Sequence, residues 1–245
     1  MWAKVTVAYD GSNFYGSQHL RRHNETIFPT VLSVFEGALR SMGIFSKAYC
    51  AGRTDRFVHA NGQVIGFLLP DFWCGKDRLK NELDKKLYPL ILIKKVEIMG
   101  DDFHPRFSAR SRVYRYLITT ERPPVFTARL ITYAPFFDAR KAKEAIELFE
   151  GTHDFYHFSK RGSDEKTTVR SIYKTALYAY KNIHIARFEG NGFLRSQVRM
   201  MMGAVLKVAS NGAASKDIND QLNGEKVLFR SPAPPNGLYL CRVNY

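Results

Sequence analysis

The chain has 245 residues, 45% apolar and 13% aromatic, enough to build a core and to exclude wholesale disorder. Lysine and arginine number 37 against 23 aspartates and glutamates, a formal net charge of +14, which points to a polyanion partner, most often nucleic acid. No apolar run approaches the roughly 18 residues of a membrane helix. The first ten residues alternate like a strand and lack the form of a signal peptide, so a soluble, cytoplasmic protein is expected.

Val5, Val7 and Tyr9 recur at every second position, predicting a half-buried strand that ends at the turn Asp10-Gly11-Ser12-Asn13. Val31, Phe35, Leu39 and Met42 then follow at helical spacing, with Pro29 before them and Gly43 as the stop. Strands over 46–51 and 62–69, a helix over 76–87 and a buried strand over 91–98 complete a β-α-β-β-α-β order, the split βαβ arrangement.

The second half repeats the plan with longer loops. A strand is predicted over 113–119, and Asp138 caps a helix with the stripe Ala142, Ile146 and Phe149, closed by Gly151. Strands over 169–180 and 182–189, a helix over 193–209 and a strand over 238–243 follow. The expected fold class is α/β (α+β): two fused ferredoxin-like βαββαβ halves, residues 1–105 and 106–245, forming an extended, mostly antiparallel sheet with helices behind. The charge divides unevenly between them, with 14 basic and 11 acidic residues in the first half against 23 and 12 in the second. Six arginines and one acidic residue, Glu121, fall between positions 106 and 129, and guanidinium forks suit phosphate oxygens better than solubility alone requires. An exposed sheet face rich in Arg and Tyr would serve as an RNA platform.

Three segments carry potential chemistry. In Gly52-Arg53-Thr54-Asp55-Arg56-Phe57-Val58-His59 a carboxylate stands between arginines at the junction of two strands. Such an Asp is either a turn residue tied down by local hydrogen bonds or an ionised group beside a cleft. In the second segment, His104-Pro105-Arg106-Phe107-Ser108-Ala109 runs into Tyr114-Arg115-Tyr116. Alternation sends both tyrosines to one face, where they either pack or stack on a base. The third, Gly192-Phe193-Leu194-Arg195-Ser196-Gln197-Val198-Arg199, places two arginines four apart near a helix start. Cations there oppose the helix dipole unless an anion lies close by. The methionines that follow read as core filler. Cys50, Cys74 and Cys241 form no CxxC pair, and His153 and His157 have no third ligand nearby in sequence, so no metal is expected.

Taken together and in order, these segments resemble the tRNA pseudouridine synthase A family. The similarity also covers Tyr9-Asp10-Gly11-Ser12-Asn13-Phe14, Gly16 and Gln18, Gly62-Gln63-Val64, Gly151-Thr152-His153-Asp154-Phe155 and Ala233-Pro234-Pro235-Asn236-Gly237-Leu238. The resemblance implies a cofactor-independent isomerase that acts on the anticodon stem-loop of tRNA, usually as a homodimer. It implies Asp55 as the catalytic aspartate and Tyr114 as the ring stacked on the target base. Arg199 is then the basic residue paired with the carboxylate, Arg53 helps to extrude the uridine, and Arg106 joins the substrate-binding set. Whether the carboxylate attacks C1′ or the uracil ring, or takes a ribose proton, stays open. A non-catalytic tRNA-binding or tRNA-folding module of the same fold is the alternative. Two departures bear on loop shape and substrate choice: Arg56-Phe57 stand where the family commonly has Ala-Gly, and Gly16-Ser17-Gln18 replaces Gly-Trp-Gln. A loop requiring φ > 0 at position 57 would strain a phenylalanine there.

Overall fold

The computed structural model describes residues 1–20, 28–73, 75–160, 162 and 166–245; Cys74 lies outside them. The chain is mixed α/β with mostly antiparallel strands and divides into two compact units, Met1–Arg110 with Leu240–Tyr245, and Ser111–Tyr239.

In the first unit, β1 (Trp2–Tyr9) buries every second residue, Ala3, Val5, Val7 and Tyr9, as the alternation requires. It pairs antiparallel with β3 (His59–Leu68) and with β4 (Ile91–Met99). The short β2 (Ala48–Cys50) pairs antiparallel with the far end of β3. The strand order is β4-β1-β3-β10, the last being Leu238–Asn244. Gly62 is obligatory at that approach, because a Cβ there would lie 2.1 Å from the Cys241 carbonyl oxygen.

Helix α1 (Val31–Ser41) opens on a capping box in which the Thr30 hydroxyl accepts from the Ser33 N–H and the Ser33 hydroxyl accepts from the Thr30 N–H. Its buried stripe is Val31, Leu32, Phe35, Ala38 and Leu39. Helix α2 (Lys76–Leu87) is charged on most of its surface and is anchored by Leu79, Leu83 and Leu87, spaced one helical turn apart.

In the second unit, β5 (Ser111–Thr119), β9 (Ile183–Gly190), β8 (Val169–Tyr180) and β7 (Gly151–Asp154) lie side by side, antiparallel at each step. The two-residue β6 (Thr132–Tyr133) pairs parallel with the end of β5. Asp138 caps α3 (Ala139–Glu147), accepting from the Arg140 and Lys141 N–H groups. Helix α4 (Gln197–Ala209) buries Met200, Met201 and Met202 among its core residues. The short α5 (Lys216–Leu222) follows. Here α4 starts at Gln197, not at 193. Ser196 adopts φ 58, and the Gln197 side chain accepts from the Leu194 N–H at 2.8 Å, so Phe193 to Arg195 form a turn ahead of the helix. Arg195 and Arg199 therefore do not share its first turn.

Among the described residues no helix is long and apolar enough to cross a membrane, and no group of three or more His, Cys, Asp or Glu could hold a metal ion.

Candidate active site

Asp55 stands in the loop between β2 and β3, half-buried, between the exposed Arg53 and Arg56. The loop is short, and its backbone is held by groups far away in sequence. Ser17, fully buried, donates its N–H to the Thr54 carbonyl at 3.0 Å, while its hydroxyl accepts from the Thr54 N–H at 2.9 Å. The Tyr9 hydroxyl meets the Thr54 hydroxyl at 2.8 Å. On the near side of the loop, the buried Gln63 amide accepts from the Gly52 N–H at 3.2 Å and donates to the Gly52 carbonyl at 2.7 Å. Each bond inside this buried region adds about 0.5–1.5 kcal/mol, and leaving a partner unsatisfied costs more. The carboxylate is thus presented by a braced turn, which the Val58 N–H closes on the Asp55 carbonyl at 3.1 Å.

Two glycines let the 10–16 segment come close enough to brace it. A Cβ on Gly11 would sit 2.1 Å from the Val58 carbonyl oxygen, and the Gly11 N–H donates to Nδ1 of the buried His59 at 3.0 Å. The Asp10 carboxylate lies 3.1 Å from that same nitrogen. Gly16 has φ 95, and a Cβ on it would be 3.0 Å from the Thr54 carbonyl oxygen. Phe57 has φ 65, the left-handed region that costs a Cβ-bearing residue about 1–2 kcal/mol. The strain expected from the family's glycine at that position is present.

Cys50, at the end of β2, is buried, and burial pushes its thiol up to about 12, with the neighbouring Ser17 hydroxyl offsetting part of the rise. It is a neutral packing group and no nucleophile. Arg106 is exposed in the turn after Phe103, which is closed by His104: its Nδ1 accepts from the Arg106 N–H at 3.1 Å and its ring stacks on Phe107 with centroids 4.5 Å apart. Partial burial and the Arg106 charge hold the His104 imidazole below the usual histidine range.

The remaining predicted residues belong to the second unit. Tyr114 is 6% exposed, edge-on to Phe193 with centroids 5.1 Å apart. Tyr116, on the same face of β5, is fully buried, and its hydroxyl donates to the Pro234 carbonyl and meets the Thr132 hydroxyl, both at 2.8 Å. Burial raises the Tyr116 phenol above its ordinary range, with the Thr132 bond and the Arg199 charge offsetting part of the rise. Arg199 lies in the first turn of α4, half-buried. Its Nε donates to the Ala233 carbonyl at 2.9 Å, and its own carbonyl accepts from the Ala233 N–H at 2.8 Å. The guanidinium is thus anchored at Nε by backbone.

Within the first unit, the structure brings Arg53 and Asp55 together on one braced loop; within the second, it groups Tyr116 and Arg199. Sequence reasoning missed the bracing role of Ser17, Gln63 and Tyr9 because their partners are distant along the chain. Tyr9 and Gln63 fall within segments that carry the family resemblance and Ser17 at a departure from it, and that was the signal available.

Residues 145–245 match a family model described as tRNA pseudouridine synthase. Over nearly its whole length the chain is similar to proteins named tRNA pseudouridine synthase A. That of Wolinella succinogenes is 41% identical over 98% of this chain and 92% of its own. That of Helicobacter hepaticus is 39% identical over 99% and 98%. The protein of Campylobacter jejuni is 39% identical over the full length of both chains.

Proposed function

The chain belongs to the tRNA pseudouridine synthase A family and isomerises uridine to pseudouridine in tRNA; from that premise we propose that Asp55 is its catalytic carboxylate and the anticodon stem-loop its target. The observation that carries the residue assignment is the bracing of the Asp55 loop through Thr54 and Gly52 by three buried side chains. A reacting group must be held in place, and these bonds to Thr54 and Gly52, on either side of Arg53, fix the loop that carries Asp55.

The reaction breaks the C1′–N1 bond, turns the freed uracil and joins C5 to C1′. The C5 proton leaves and N1 gains one, so there is no net oxidation or reduction. Stacking in the stem hides the bonds involved, so the nucleotide must flip out, at a cost of a few kcal/mol. Tyr114 supplies the ring for the target base, Arg53 acts in extrusion, and Arg106 and Arg199 are further substrate-binding cations. Phosphate contacts from the basic residues offset the flipping cost. We infer from the same resemblance a cytoplasmic homodimer.

Asp55→Asn keeps shape and removes charge. It is expected to abolish pseudouridine formation in tRNA while binding stays within a few-fold of wild type. Substantial residual turnover, in a preparation free of wild-type enzyme, overturns the assignment. Mapping pseudouridine along the treated tRNA tests the stem-loop target in the same experiment.

A further inference from the structure

Arg56 follows the carboxylate directly, and its place in the structure is unlike that of a solvated surface arginine. Its guanidinium carbon lies 4.1 Å from the centroid of the Tyr15 ring and 4.5 Å from that of Phe57. Tyr15 is itself stacked on Phe28, centroids 4.1 Å apart and planes 14° from parallel. Phe28, Tyr15 and Arg56 thus form a column beside the Asp55 loop, and Arg56 and Phe57 are both exposed. The ring of Phe57 is kept in contact with Arg56 although its backbone, at φ 65, would suit a glycine. A guanidinium lying on an aromatic face loses little entropy when it binds. It also keeps its in-plane N–H donors at its edge, the geometry that matches two oxygens of one phosphate.

We propose that Arg56 is a substrate-positioning residue: its ring-held guanidinium binds the RNA backbone phosphate flanking the uridine brought to Asp55. The inference rests on the reading of Asp55 as the catalytic carboxylate and adds to it a contact that fixes where the strand enters.

The test compares wild type, Arg56→Gln, Arg56→Lys and Tyr15→Leu in tRNA affinity across a salt series, in single-turnover rate at saturating enzyme and in melting temperature. Arg56→Gln is expected to raise KM, to lower the slope of log affinity against log salt by about 0.7–0.9, and to keep the saturated rate within about threefold of wild type. Arg56→Lys and Tyr15→Leu keep the charge but lose the fork or its support, so they bind several-fold more weakly with the slope retained. In a stem-loop RNA, neutral methylphosphonates flanking the target uridine are expected to weaken binding to wild type and not to Arg56→Gln. An unchanged slope in Arg56→Gln, or an equal methylphosphonate loss in both proteins, overturns the proposal. The two readings fail separately: residual turnover in Asp55→Asn sinks the catalytic assignment and leaves the slope difference standing. An unchanged slope alongside an inactive Asp55→Asn sinks the role of Arg56 alone.

Discussion

Tyr114 and Tyr116 stand two apart on one face of β5, yet their surroundings ask different things of them. The Tyr116 hydroxyl is committed to the Pro234 carbonyl and the Thr132 hydroxyl, so its removal leaves buried polar groups short of a partner at about 1–3 kcal/mol. Tyr114 meets Phe193 edge-to-face, an arrangement worth about 0.5–1.5 kcal/mol that phenylalanine would preserve and leucine would not. If Tyr114 serves the target base, it is the plane of the ring that counts, since stacking is worth about 1–3 kcal/mol per base. Tyr114→Phe is therefore expected to keep much more single-turnover activity than Tyr114→Leu, with the rate of the Leu variant falling further than its melting temperature explains. A folded Leu variant with a near-normal rate would assign Tyr114 to packing. A Phe variant as inactive as Leu would give the hydroxyl a role of its own.

At the scale of elements, strands and helices with a strong internal pattern were legible, and of the short strands only the three-residue β2, within the predicted 46–51, was. Helix α2 runs over the predicted 76–87, because Leu79, Leu83 and Leu87 define its face, and β8 spans the predicted 169–180. By contrast β6 has two residues, β7 has four, and α5 carries the polar sequence KDINDQL, too short or too hydrophilic to show a period. The start of α4 was misread because Phe193 and Leu194 extend its apolar pattern while belonging to a turn. For the site, the motif around Asp55 was legible and its support was not: Ser17 is 37 positions from Thr54 and Gln63 is 11 from Gly52, pairings that only the folded strands create. The end of β2 allows a test of how firmly that support is tied. The Cys50 thiol is raised from 9.0 to about 12 by burial, so the unfolded chain ionises first. The resulting stability is fully present below about pH 9 and is lost as pH rises toward 12. Wild type is expected to lose more stability than Cys50→Ala between pH 8 and about 10.5, measured by denaturant titration. Parallel losses would mean that the thiol is not closed off from water.

Over the whole molecule the arginine cluster separates by burial into two kinds of residue. Arg112 is 9% exposed and donates from its guanidinium to the Asn191 carbonyl at 2.8 Å; it is part of the second unit's framework. Arg106 and Arg110 are exposed. Arg115, also exposed, is directly opposite Arg187 across β5 and β9, and like charges so placed destabilise a sheet. Arg187 is relieved by its ion pair with Glu189, whereas a polyanion laid over the strand would relieve both. If binding rests on phosphate contacts, log affinity for tRNA should fall linearly with log salt, each neutralised phosphate adding about 0.7–0.9 to the slope. Replacing Arg106 and Arg110 together by glutamine is expected to flatten that slope by up to about twice this amount, with the melting temperature unchanged. Arg112→Gln is expected to do the reverse, lowering the melting temperature and leaving the slope alone, because its charge is spent inside the fold. Binding that does not vary with salt in wild type would detach the net charge of +14 from RNA recognition. A slope lost in Arg112→Gln but kept in the double variant would mean that burial does not tell the structural arginines from those that meet phosphate.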